Sequence, residues 1–191
     1  WKGDQVPVSK QFDDPYYSLD NGLHETQHVF LAANGLPDRF RDGFSIAELG
    51  FGTGLNLLTT LQAWQCSGQL GRLLYTSFEA YPLTQADLRR ALEPFDTIAP
   101  LAHELVDGWP DLLRTGKLKT ADMNLLLIIG DARETVPQWK GRADCWYLDG
   151  FSPAKNPELW ETDLLSEVYF HTKAGGTAAT YTAAGYVRRN L

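Results

Sequence analysis

Four short apolar runs, each closed by a glycine or an acid, govern what this chain can fold into. They cover residues 44–49, 73–78, 125–129 and 143–148, and they are followed by Gly50, Glu79, Gly130 with Asp131, and Asp149. Near-continuous apolar runs of this length fit strands buried on both faces, as in a parallel sheet sandwiched between helices. Helical patterns lie between and around them, at 55–64, 84–92, 98–106, 133–136, 158–170 and 183–191, and a further strand is expected at 177–181. Strands alternating with helices predict an α/β fold: a mostly parallel sheet with helices on both faces. The turn-rich residues 1–43, with one helix expected at 25–33 before Asn34, Gly35 and Pro37, read as an N-terminal extension or lid. Residues 44–191 then form the main domain.

The bulk properties exclude several classes. The 191 residues are 43% hydrophobic and 21% charged, as expected of one globular domain with a sizeable core. No apolar run approaches the roughly 20 residues that span a bilayer. The N-terminal residues lack the charged-then-apolar pattern of an export signal. Cys66 and Cys145 lie far apart, so no disulfide framework and no metal site is expected, and Cys145 reads as a core residue. A reducing cytoplasm is the expected location. A formal charge of −7 opposes tight nonspecific nucleic-acid binding while leaving room for a local basic patch.

The ends of the first three strands carry a consistent set of groups. Glu48-Leu-Gly-Phe-Gly-Thr-Gly-Leu-Asn56 runs from a strand through Gly50, Gly52 and Gly54 into a helix. Glycines allow a sharp turn and close approach to a ligand, and the helix start offers free N–H groups. No Gly-Lys-Ser/Thr follows, which sets the loop apart from a triphosphate loop, and the spacing is not G-x-G-x-x-G. Glu79 ends the second strand, either as an acceptor for ribose hydroxyls or as a solvated loop acid. Asp131 ends the third, either as an acceptor for an adenine amino group or as the N-cap of the next helix. Glycine loop, ribose acid and adenine acid, in that order, fit the Rossmann-like S-adenosylmethionine-dependent methyltransferases. Asn56, Ala80 and Ala132 join the candidate cofactor contacts as neighbours in the same segments.

The fourth strand delivers Asp149-Gly-Phe-Ser-Pro153, similar to the [Asp/Asn]-Pro-Pro-[Tyr/Phe] edge of enzymes that methylate exocyclic amines. An amine must be neutral to attack a methyl carbon in line. A carboxylate at Asp149 can accept its N–H groups, orient it and favour the charge developing on nitrogen. Phe151 and Pro153 are candidates to stack on a base or wall the pocket. Lys155 and Asn156 are candidates for a phosphate or a base edge. The alternatives are that Asp149 caps the helix near residue 157 and that Lys155 and Asn156 are plain turn residues.

Five segments, at 12–18, 22–26, 48–56, 148–157 and 175–189, occur in the same order in the methyltransferase domain of the bifunctional tRNA 5-methylaminomethyl-2-thiouridine biosynthesis (MnmC) family, which the whole chain resembles. The resemblance implies methyl transfer from S-adenosylmethionine to the aminomethyl nitrogen of a modified wobble uridine in tRNA. It implies that Glu48, Gly50, Gly52, Gly54, Glu79 and Asp131 line the cofactor and that Asp149 faces the amine. Tyr17 and Glu25 become candidate lid or substrate contacts, and Arg188 and Arg189 candidate contacts to the anticodon backbone. Two departures follow. No flavin-binding domain is present, so no flavin is expected and any flavin oxidoreductase acting on the same tRNA would be a separate partner. The terminal β-hairpin usual in this fold class is absent from the sequence, which looks C-terminally incomplete. The competing expectations are a small-molecule N- or O-methyltransferase of the same fold and a noncatalytic nucleotide-binding or scaffold module.

Overall fold

The computed structural model describes residues 1–3, 6–17 and 22–190; Ser18 of the first family-like segment and Leu191 of the last expected helix lie outside them. The chain opens with a two-stranded antiparallel ribbon, β1 (Val8–Ser9) and β2 (Asp14–Pro15). A composite helix follows: α1 (Gly22–Thr26), a π turn (Gln27–Leu31) and a 3-10 turn (Ala32–Asn34). It ends at Gly35, whose φ of 67° places it in the left-handed region that favours glycine. The helix expected at 25–33 is therefore present but starts earlier and is wound unevenly.

The main domain runs β3 (Ser45–Leu49), α2 (Leu55–Ser67), β4 (Leu73–Glu79), α3 (Gln85–Leu92), α4 (Ala99–Thr115), β5 (Lys117–Lys119), β6 (Met123–Ile129), α5 (Ala132–Thr135), β7 (Ala143–Leu148), α6 (Thr162–Phe170), β8 (Thr172–Thr180) and α7 (Gly185–Asn190). Six strands form one sheet in the order β5-β6-β4-β3-β7-β8. All neighbours are parallel except β5 against β6. The chain steps outward from β3 to β4 and β6, then returns to the other side of β3 with β7 and β8. The strand order therefore reverses between β3 and β7, where open α/β sheets bind ligands beyond their carboxyl ends.

Burial explains the central strands. Every residue of β3 and of β7 is buried, and the two-residue period divides each strand between two cores. Ile46, Cys145 and Tyr147 pack with Leu57, Leu58 and Trp64 of α2 and with Leu105 and Trp109 of α4. Ala47, Trp146 and Leu148 pack on the opposite face with Leu164, Leu165 and Val168 of α6. Cys145 is a core residue, as expected.

Four elements differ from the sequence reading; the first is the strand expected at 177–181, which is β8 and starts at Thr172. Helix α4 runs to Thr115 instead of stopping near residue 106, and it contains Pro110. Proline leaves the carbonyl four residues earlier without its helical donor; here that carbonyl belongs to Val106, and the Gln85 side chain donates to it at 2.8 Å. The helix expected at 158–170 is broken at extended Glu161 into a 3-10 turn (Pro157–Trp160) and α6. Strand β5 carries no apolar run and escapes pattern reading; its two lysines suit a sheet edge. Among the described residues, no helix is long and apolar enough to cross a membrane.

Candidate active site

At the reversal point, β3 and β7 deliver a glycine and an acid side by side. Gly50 N–H donates to Phe78 O at 2.9 Å, and Asp149 N–H donates to Leu49 O at 3.1 Å, so the ladder continues past both strand ends. Gly50 has φ 86°, and a Cβ there would lie 2.1 Å from the Asp149 carbonyl oxygen. Only glycine permits this approach of the two chains. Beyond it the loop turns through Gly52 and Gly54, and Gly54 occupies the N-cap position of α2. Phe51 tucks beneath the loop and stacks on Trp109, with centroids 5.3 Å apart.

The loop opens onto a cavity of about 630 Å³, a volume typical of ligand sites. Gly50, Gly52, Asn56, Glu79, Ala80, Ala132, Asp149, Phe151 and Asn156, all expected in the site, line it, as do Tyr17 and Glu25. The glycine loop and Asp149 therefore face one cleft. Glu79 accepts from Gly52 N–H at 2.9 Å and from Tyr81 N–H at 2.7 Å. Burial pushes its carboxyl up, and these backbone donors oppose the shift.

A second acid lies behind the wall. Glu48 is 0% exposed and does not line the cavity. It accepts from Asn56 Nδ2 at 3.0 Å and from Ser77 Oγ at 2.7 Å. The same Asn56 Nδ2 donates to Asp149 Oδ2 at 2.6 Å, and Thr26 Oγ1 donates to Asn56 Oδ1 at 2.8 Å. Burial pushes Glu48 up to about 8 against its two hydrogen bonds, and the Asp149 charge adds to the rise. Asp149, with its open edge on the cavity, is pushed up to about 7 by burial; the Asn56 bond opposes this and the Glu25 charge adds to it. Glu48 therefore holds Asn56 from behind, a different place from the cofactor contact expected of it.

The N-terminal ribbon roofs the cavity. Phe12 and Tyr16 pack on the Phe151 ring with centroids 4.9 and 5.1 Å away. Asp14 accepts from Ser152 N–H at 3.0 Å, and Tyr17 OH donates to Ala91 O at 2.8 Å on the far side. Lys155 is spent on this roof: its ammonium donates to the Asp13 carbonyl and lies 3.3 Å from the Asp14 carboxylate. This corrects the expectation of a phosphate contact. Tyr181, which sequence reading did not single out, donates from its OH to Gly150 O at 2.7 Å and lines the cavity with Thr26, Tyr16 and Ser152. All four fall within or beside the family-like segments, but their inward placement depends on contacts across the chain.

Three more expectations change, those for Asp131, Gly54 and Pro153. Asp131 caps α5 by accepting from Arg133 N–H at 2.9 Å, and its carboxylate meets the Arg133 guanidinium at 2.6 Å. That hydrogen bond holds the carboxyl below its usual range. The wall here is made by Gly130 and Ala132 instead. Gly54 and Pro153 flank the cavity without lining it. Arg188 and Arg189 lie in the last turn of α7, away from the cavity, and a contact to the anticodon backbone does not need them to line it.

Residues 96–191 match the model of a family described as S-adenosyl-L-methionine-dependent methyltransferase. The tRNA 5-methylaminomethyl-2-thiouridine biosynthesis bifunctional protein MnmC of Aeromonas salmonicida is 44% identical over 206 residues, covering 100% of this chain and 31% of the relative. Its counterpart in Pseudomonas syringae pv. syringae is 42% identical over 204 residues, covering 100% of this chain and 30% of the relative. The chain thus spans about a third of the length of these curated relatives. Among solved structures, MNMC2 from Aquifex aeolicus superposes with a TM-score of 0.80 at 26% identity, covering 98% of this chain and 63% of that one.

Proposed function

This chain belongs to the S-adenosyl-L-methionine-dependent methyltransferase family, and from that premise we propose that it methylates the aminomethyl nitrogen of a modified wobble uridine in tRNA, giving 5-methylaminomethyl(-2-thio)uridine. The observation that carries the reading is the Asp149 carboxylate, partly buried beside the glycine loop and facing the same cavity. The naming of relatives 42% and 44% identical as MnmC proteins supports the choice of substrate.

The residues present fit the cofactor. Gly50 and Gly52 leave the cavity wall bare of side chains, and a Cβ at Gly52 would intrude to 3.2 Å from the Tyr16 ring. Glu79, which ends β4 and lines the cavity with Ala80, Gly130 and Ala132, would accept from ribose hydroxyls. When bound, S-adenosylmethionine supplies an electrophilic methyl group on a positively charged sulfur.

The chain's own groups prepare the acceptor. Asp149 and Glu25 put negative charge on the wall that meets the amine, which draws in an ammonium. A carboxyl balanced near neutral pH can take a proton from that ammonium and leave the nitrogen lone pair free. The same carboxylate orients the remaining N–H bonds and offsets the charge that grows on nitrogen. Phe151, with Tyr16 and Phe12 against it, offers a ring for the pyrimidine. The ribbon β1–β2, lying over the cavity, serves as its lid in this reading. A cytoplasmic location and a flavin oxidoreductase activity on the same tRNA belong to this reading.

The test is mass spectrometry of wobble nucleosides after incubating the chain with S-adenosylmethionine and hypomodified tRNA. A gain of one methyl on the aminomethyl nucleoside is expected. Methylation of small amines with none on tRNA would overturn the substrate and favour a small-molecule enzyme.

A further inference from the structure

Asn56 is the meeting point of three segments far apart in sequence. Its two N–H bonds go to carboxylates, Glu48 at 3.0 Å and Asp149 at 2.6 Å. Its oxygen takes the Thr26 hydroxyl at 2.8 Å. Thr26 and Asn56 are 4% and 6% exposed, so water has little access to replace any of these partners. The arrangement has a direction. An ionised carboxylate only accepts, so an Asn56 turned the other way would set lone pairs against lone pairs wherever an acid is ionised. Thr26 anchors the amide from its other end, where its hydroxyl donates to the Asn56 oxygen.

We propose that Thr26 is a positioning residue: its hydroxyl pins the Asn56 amide in place, and through Asn56 the Asp149 carboxylate that faces the substrate amine. Thr26 ends α1, in the N-terminal extension, whereas Asn56 stands in the first turn of α2 and Asp149 follows β7. Seating of the extension on the main domain and alignment of the reactive acid are therefore one event. With the extension displaced, Asn56 would keep its bonds to Glu48 and Asp149 but lose the Thr26 hydroxyl at its oxygen. The inference rests on the reading of Asp149 as the amine-facing acid.

The charged and titratable groups around Asp149 are Glu48 from β3, Glu25 from α1 and Tyr181 after β8, with Asp14 of β2 acting on Tyr181. None of them accepts from or donates to the Thr26 hydroxyl, which bonds Asn56. The test uses Thr26→Val, which keeps shape and loses the donor, and Thr26→Ser, which restores it. Carbon-13 NMR of labelled carboxyls, assigned with Asp149→Asn, follows the Asp149 titration without any substrate. Thr26→Val should raise its midpoint by about one pH unit and lower kcat on tRNA about tenfold, the scale of a lost hydrogen bond to a charged group. KM for S-adenosylmethionine should stay within about twofold of wild type, and Thr26→Ser should restore both readouts. An unchanged titration with unchanged kcat overturns the proposal, as does a fall in kcat that Thr26→Ser does not rescue. If Thr26→Val fails to fold, Thr26→Ala carries the same comparison. Wild-type protein inactive on tRNA would overturn the substrate reading instead, and the titration alone would then decide the role of Thr26.

Discussion

Replacing Glu48 by glutamine should remove a large part of the pH dependence of stability. The Glu48 carboxyl ordinarily ionises at 4.5 and is pushed up to about 8 in the fold. The native state thus favours the protonated form. The stabilisation is complete below the unfolded value and drains away as pH rises through about 8. Linkage puts the cost of this one group at about 2 kcal/mol at pH 6 and nearly ~5 kcal/mol at pH 9, a loss of roughly 3 kcal/mol across the interval. In a chain of 191 residues this corresponds to a fall in Tm of about 6–12 °C. Glutamine keeps the shape, can accept from Asn56 through its oxygen and can donate to Ser77 through its nitrogen, but it does not ionise. Asp149 titrates in the same direction in both proteins, so the difference between them reports Glu48. Thermal unfolding of wild type and Glu48→Gln at both pH values is the assay. The variant's advantage should be about 3 kcal/mol larger at pH 9 than at pH 6, and the two should converge only below about pH 4.5. Parallel pH slopes would refute the reasoning, because Glu48 would then ionise in the native state as easily as in the unfolded chain.

Asp149→Ala should leave S-adenosylmethionine affinity by calorimetry nearly unchanged while cutting turnover roughly 10²-fold, the scale of a lost acid–base group; equal losses in both would place Asp149 among the cofactor contacts. Gly50→Ala should damage fold and activity together, since its Cβ would meet a backbone oxygen at 2.1 Å from a φ of 86°. A drop of roughly 2 kcal/mol or more in urea unfolding is expected, and a variant as stable as wild type would show that the two strand ends can part.

The sequence made the sheet readable where burial on both faces left little room for polar residues, as in β7 and most of β6. Gly50, Glu79 and Asp149 were readable because each closes such a run. What was hidden depends on partners distant along the chain. Lys155 reads as a phosphate contact until its partner Asp13, 142 residues earlier, is brought to it. Asp131 reads equally as a ligand acid or a cap until Arg133 is seen folded back on its carboxylate. Glu48 belongs to a glycine-loop segment, but the strand alternation turns it beneath the loop toward Ser77 and Asn56 instead of into the cavity. The Thr26 to Asn56 contact joins residues 30 apart, and Asn56 to Asp149 joins residues 93 apart. No local pattern records either.

The proline in α4 ties the nucleotide-side loop to a second helix. Trp109, the platform under Phe51, immediately precedes Pro110, and its indole N–H donates to Leu83 O at 3.0 Å. Gln85, at the start of α3, closes the gap that the proline leaves at Val106. Pressure on the loop from above is therefore transmitted through two stacked rings into a joint shared by α3 and α4. Loosening that joint would soften the loop from beneath while leaving every residue that faces the ligand unchanged.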